Sequence, residues 1–280
     1  MGKYTNKNIL HKKCENQVEY LEFKSLNDYG VKNAVFLRHG GVSKGIYSSL
    51  NLRLSSSDTN QNLEENMRRV CEAINIHKEN ICKANQAHTD NIVHITKENM
   101  SEFNYLQKNE TKADAYIVNE KNIYTMVTTA DCVPIIIYDT KHKVLANIHS
   151  GWKGILKKIS LKVIHKLEED FEAEAQDLIV CLGPAISKCC FTSKDVAFKE
   201  LFTDVWPNWE DYIREDVDNT FHIDLKYLII SDMLKAGVKE ENITNADICT
   251  KCNNDDFYSY RCTVKRGEED YGTFATIVGM

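Results

Sequence analysis

IYTMVTTADCVPIIIYDTKHKVLANIHSGWKG, residues 123–154, is the stretch from which the rest of the chain can be read. Three runs rich in apolar and β-branched residues, Ile123–Thr128, Ile135–Tyr138 and Val144–Ile148, follow one another at short intervals and predict strands. Ile135–Tyr138 shows no polar alternation, as expected of a strand covered on both faces. Beyond Gly151-Trp152-Lys153-Gly154, residues Ile155, Ile159, Val163, Ile164 and Leu167 fall on one stripe with lysines opposite. That spacing predicts a helix directly after the strands.

Toward the N-terminus, Asp114–Val118 and Asn91–Thr96 read as further strands. Asn62–Ile74 reads as a helix presenting Leu63, Met67, Val70 and Ile74 on one face. Ala34–Leu37 is a short strand feeding the glycine-rich Arg38-His39-Gly40-Gly41. Val18–Phe23 is expected to be the first strand, after a polar, lysine-rich Met1–Lys13 that reads as a frayed lead-in. Toward the C-terminus, Asp177–Leu182 looks like a buried strand. Leu225, Leu228, Ile229 and Met233 mark a helix with Gly237 as its stop, and Ala275–Val278 is the last strand. Strands and helices are interspersed without a βαβ rhythm. The expected fold is therefore a mixed-sheet α/β (α+β) arrangement, one layered domain over residues 1–280.

Composition narrows the function. Hydrophobic residues make up 42% of the chain, enough for a large core, and only 3 prolines and no low-complexity linker interrupt it. A net charge of -6, with both signs dispersed, argues against a nucleic-acid surface. No apolar run reaches bilayer length and no export-type h-region precedes the first strand, so a cytoplasmic protein without a membrane partner is expected. The 10 cysteines then read as free thiols or metal ligands rather than a disulfide framework. A monomer or small homo-oligomer is expected.

Three candidate soft-metal ligands stand at ends of the predicted strands: His88, Cys132 and His149. One Cys with two His suits zinc and leaves a fourth position for water or substrate. The residues are far apart in sequence, so the alternative stays open that Cys132 is a small buried hydrophobe and the histidines are ordinary core or loop residues. His149-Ser150-Gly151-Trp152-Lys153-Gly154 puts a lysine and backbone N–H groups where an anion could sit, or else is a tight turn. Arg38–Gly45 lacks P-loop and Rossmann order. Cys249-x-x-Cys252 could hold structural zinc or form a redox pair. No second C-x-x-C follows, Cys262 is an isolated candidate, and the adjacent Cys189-Cys190 read as packing residues.

Taken in order, these motifs resemble the laccase-domain family, also called multicopper polyphenol oxidase or YfiH-like. The resemblance is carried by Arg38–Leu52 (RHGGVSKGIYSSLNL), Gln86-Ala87-His88, Thr129-Ala130-Asp131-Cys132-Val133-Pro134, the His149–Gly154 segment, Gly183-Pro184-Ala185-Ile186 with Cys189-Cys190-Phe191, Cys249-Thr250, and Phe257–Arg261. It departs from many members at Cys262, where a second arginine is usual, and at Tyr271-Gly272-Thr273, which resembles the animal branch.

The resemblance implies a layered mixed-sheet fold and a metal, zinc or else copper, on His88, Cys132 and His149. It also implies phosphorolysis of adenosine, inosine and methylthioadenosine to a free base and ribose 1-phosphate or its methylthio analogue, together with adenosine deamination. Purine nucleosides and phosphate are thus the expected partners. Asp131 is the candidate proton carrier, with a hydrogen-bonded structural carboxylate as the other reading. Arg38, Asn51, Lys153 and Arg261 are the candidate substrate-binding residues. Copper-dependent phenol oxidation is discounted, because the chain has 9 histidines and no H-x-H pair. The competing chemistry is a cysteine hydrolase, amidase or cell-wall precursor-editing enzyme using Cys132 with His149.

Overall fold

A computed structural model describes residues 2–105 and 110–280. Met1, the first residue of the expected lead-in, lies outside them.

Two six-stranded mixed sheets form the body. The first runs Ile9–Lys13, Glu19–Phe23, Lys32–Phe36, Phe274–Gly279, Tyr124–Thr129 and Ile81–Cys82. The second runs Ile243–Asn245, Leu178–Leu182, Val133–Asp139, Val144–Ser150, Ala115–Val118 and Ile92–His94. Antiparallel pairs dominate, and the pairings of Ile81–Cys82, Ile92–His94 and Ile243–Asn245 are parallel. This is the expected mixed α/β architecture.

The period-two geometry of a strand explains the unbroken apolar runs. Val133, Ile135 and Ile137 point into a core shared with the helices Ile159–Phe171 and Leu225–Lys235, whereas Ile136 and Tyr138 point into the core between the sheets. Each such side chain, fully buried, contributes roughly 1.5–3 kcal/mol. A third core, containing Phe36, Met126 and Ile277, is covered by the helix Asn60–Ile74 through Met67, Val70 and Ile74. The layers are therefore helix, sheet, sheet, helix. Asn147 is a polar exception between the sheets: its fully buried amide donates to Thr125 O (3.0 Å) and Thr276 O (3.2 Å) on the facing sheet.

Two expectations are corrected. Ile9–Lys13 is not frayed; it pairs antiparallel with Glu19–Phe23, and its lysines read as polar lead-in because it is an edge strand with one wetted face. The helix after Gly151 is two helices, Trp152–Leu156 and Ile159–Phe171, broken at Lys158, whose φ of 59° is left-handed. Lys158 Nζ is held by Asp232 (2.8 Å) and lies over the Trp206 ring (3.4 Å). Sequence periodicity continued across the break because the stripe faces the same core on both sides. The three-stranded sheet of Thr192–Ser193, Phe221–Ile223 and Ile213–Glu215, and the helix Tyr260–Arg266, had no clear periodic signal.

Candidate metal centre and its cavity

The buried carboxylate of Asp114 organises the site. It immediately precedes the strand Ala115–Val118 and accepts the backbone N–H groups of Ala87 (3.2 Å), His88 (3.1 Å) and Thr89 (2.6 Å), with the Thr89 hydroxyl at 2.7 Å. The loop carrying His88, a left-handed residue at φ 56°, is wrapped around this one side chain. Asp114 Oδ1 also meets His149 Nδ1 at 2.7 Å, which leaves Nε2 as the other functional atom of the buried imidazole. His149 lies on Val144–Ser150 directly opposite Pro134, so the strand pairing brings it beside Cys132 at the head of the neighbouring strand.

One ligand atom from each of His88, Cys132 and His149 lies within 4.8 Å of the others. Cys132 Sγ is 3.8 Å from His88 Nε2, and the two imidazoles meet edge to face with centroids 4.8 Å apart. Burial opposes ionisation of both Cys132 and His149, yet each outweighs it through the other. His149, with help from His88, brings Cys132 down to about 6. Cys132 and Asp114 bring His149 up to about 9. Burial likewise disfavours the Asp114 anion, but His149 and Thr89 hold it at about 2.

The residues fit a metal. The donors are soft sulfur and imidazole, one imidazole is oriented by a carboxylate as zinc-ligating histidines are, and room is kept by a glycine. A Cβ on Gly151 would lie 2.6 Å from His88 Cδ2 and 3.1 Å from Cys132 Sγ.

The three residues line a cavity of about 1400 Å³. Its wall includes cations (Arg53, Lys83, Lys153, Arg261) and aromatic rings (Trp152, Phe191, Phe198, Tyr260, Tyr271). Trp152 packs edge-on to Phe198 at 5.1 Å, and Arg53 lies 3.9 Å over Tyr271. Lys153 is exposed at the start of a helix only five residues long, so an anion there would meet a point charge more than a macrodipole.

Other predicted site residues are placed differently. Arg38 is not on the cavity wall; its guanidinium donates to Ser48 O (2.7 Å) and Asn254 O (2.8 Å) and lies over Tyr258. Asn51 is fully buried, donating to Ser56 and Asp58 and accepting from the Arg53 and Thr273 backbones. Both tie loops together. The Asp131 carboxylate accepts Thr250 Oγ1 (2.6 Å), Ser259 Oγ (3.0 Å) and the Arg261 N–H (2.7 Å), the geometry of a structural carboxylate. Burial pushes its pKa up against those three donors.

Sequence reasoning missed Asp114 and Lys83. Lys83 Nζ donates to Gln86 Oε1 (2.6 Å) and Thr128 Oγ1 (3.0 Å), and burial lowers it to about 8 despite nearby Asp114. An aspartate placed one residue before a wholly apolar strand was the signal for the first. A lysine directly after the buried pair Ile81–Cys82 was the signal for the second.

Residues 32–280 match the family model described as multi-copper polyphenol oxidoreductase laccase. The purine nucleoside phosphorylase of Bacteroides thetaiotaomicron is 29% identical over 243 residues, covering 86% of this chain and 90% of that protein. Adenosine deaminase RL5, from an unknown prokaryotic organism, is 30% identical over 149 residues, 53% of this chain and 56% of its own. The crystal structure of the hypothetical protein YfiH from Bacillus licheniformis superposes with a TM-score of 0.84 at 24% identity, covering 93% of this chain and 96% of that one, and so shares its fold. The chain belongs to the multi-copper polyphenol oxidoreductase laccase family.

Proposed function

We propose that this chain is a zinc-dependent purine nucleoside phosphorylase that cleaves adenosine, inosine and methylthioadenosine and also deaminates adenosine. The observation that carries this reading is the juxtaposition of a three-donor metal cluster with cations and aromatic rings on one large cavity. A nucleoside needs an apolar, stacking surface for its base, and phosphate needs positive charge beside it. Relatives named as purine nucleoside phosphorylase and adenosine deaminase support the same chemistry.

His88, Cys132 and His149 would hold the ion, which when bound supplies a Lewis acid and activates water at neutral pH. Asp114 fixes the tautomer and orientation of His149 and, through the 87–89 backbone, the position of His88. Lys153 and Arg261 draw phosphate toward C1′ of the ribose. The C1′–N9 bond breaks as the C1′–O bond to hydrogen phosphate forms, and the proton that the phosphate gives up passes to the departing purine. Trp152, Tyr260 and Tyr271 offer ring faces to the base. Asp131 acts as a positioning residue, because its hydrogen bonds set the backbone of Arg261. Phenol oxidation is not supported by the donor set: only two histidines meet in this cluster, and the second cluster among the described residues has none.

The test is metal content measured alongside product analysis from adenosine with and without phosphate. Adenine and ribose 1-phosphate should form only when phosphate is present; inosine should accumulate without phosphate and pass on to hypoxanthine with it. Cys132→Ala should lose the cavity's ion and fall to background turnover. Full activity and full metal content in that variant would sink the proposal.

A second reading is favoured by one observation. Cys132 lies beside His149, whose Nδ1 is held by Asp114 at 2.7 Å, the order of nucleophile, base and orienting carboxylate in a cysteine hydrolase. It predicts turnover of an amide or ester substrate that survives chelation and is abolished by alkylating Cys132.

A further inference from the structure

Cys249-x-x-Cys252 does have a partner motif, supplied by the chain rather than by the local sequence. Ala185 and Cys249 form a parallel bridge, with Ala185 N–H donating to Ile248 O and Thr250 N–H to Ala185 O, both at 3.1 Å. The segment leading to Cys189-Cys190 therefore runs beside the one entering the C-x-x-C turn. All four sulfurs lie within 4.8 Å of one another, with Cys252 Sγ 3.5 Å from Cys190 Sγ and 3.7 Å from Cys189 Sγ. All four are free thiols.

We propose that Cys189, Cys190, Cys249 and Cys252 bind a second metal ion, a closed four-sulfur zinc site. At a Zn–S distance of about 2.3 Å, a tetrahedron places its sulfurs about 3.8 Å apart, close to the separations present. Packing does not account for the group, since Cys189 and Cys252 are exposed and only Cys190 and Cys249 are buried. Lys226, almost wholly buried nearby, donates to Ile248 O (3.1 Å) and Ser187 Oγ (3.3 Å) and places a positive charge beside a site that carries net negative charge once four thiols have given their protons to solvent.

The consequence reaches the cavity. The segment after Cys189-Cys190 carries Phe191 and Thr192, and the segment after Cys252 leads into the helix Tyr260–Arg266, which carries Arg261; all three line the cavity wall. Arg261 Nη1 already donates to Cys190 O (3.3 Å) and Thr192 O (3.1 Å). A metal joining the two loops fixes that wall without touching substrate.

Native mass spectrometry and total metal analysis of the full chain, produced with zinc under reducing conditions, test this. Wild type should carry two zinc ions, Cys132→Ala one, and Cys189→Ser with Cys252→Ser one. The combined variant should carry none. Should the serine variants fail to fold, Cys132→Ala reconstituted with cobalt decides: it should show the visible bands and sulfur-to-cobalt charge transfer of a tetrahedral all-sulfur site. A wild-type protein with one ion that Cys132→Ala removes would overturn the proposal. So would unreduced protein whose mass is lowered by disulfides among these cysteines. One ion that survives Cys132→Ala but not the serine changes would uphold this site while removing zinc from the cavity.

Discussion

Cys132 and Cys189 are both reachable thiols in clusters of soft donors, but their surroundings pull them opposite ways. Cys132 faces two imidazoles, one anchored by a carboxylate, and is brought to about 6. At Cys189, burial and then the Cys249 and Cys252 sulfurs push the thiol up to about 11. The first cluster pairs one thiol with two imidazoles that draw its pKa down, and its three donors fall one short of a closed tetrahedral set, which suits chemistry. The second gathers four groups that repel one another as thiolates until a cation joins them, which suits a staple. The first is built by a buried aspartate acting on a loop and a strand, the second by two loops lying side by side.

The largest effect expected from this contrast is in thiol reactivity. In metal-depleted protein at pH 7, Cys132 should be alkylated on the order of a hundredfold faster than Cys189, after its lower intrinsic nucleophilicity is allowed for. Its rate should rise with pH through a midpoint near 6, where the thiolate forms. Peptide mapping after timed iodoacetamide treatment reads both. Equal rates, or a Cys132 midpoint above 8, would erase the distinction between the clusters.

A smaller effect is expected from the carboxylate. Asp114→Asn should weaken metal binding or nucleoside turnover by about 10–100-fold, the usual cost of losing a group that orients a ligating histidine. The four-thiol cluster should keep its ion, and a chelator titration of the two sites separates the outcomes. Loss of both ions together would mean that the sites are not independent.

The smallest effect separates cavity cations from loop-holding ones. Lys153→Ala should raise the apparent KM for phosphate by about fivefold with little change in kcat, in line with ~1 kcal/mol for an exposed charge. Arg38→Ala should leave that KM unchanged and instead lower unfolding free energy by about 2 kcal/mol, as its two charged bonds to carbonyls are lost. A phosphate KM that moves with Arg38 and not with Lys153 would reverse the assignment.

How much of this was legible in the sequence follows from where each signal resides. The central strands were readable because continuous apolar runs such as Val133–Asp139 are dictated by burial on both faces, and three soft donors at their ends then stood out. Ile9–Lys13 was not, because an edge strand needs few apolar residues. Arg38 and Asn51 looked like ligand binders because charged and amide side chains near glycines serve phosphates and loop carbonyls equally well; only the three-dimensional partners distinguish the two. Cys189-Cys190 could not be joined to Cys249-x-x-Cys252 from spacing, since their meeting depends on the bridge between Ala185 and Cys249.

Asn147 lies two residues before His149 on the same strand, and its amide grips Thr125 and Thr276 across the interior. The imidazole is thereby referenced to both sheets at once. Any sliding of one layer over the other must tear a buried amide from two carbonyls before it can displace the histidine, so the shear stiffness of the whole sandwich is transmitted to a single nitrogen.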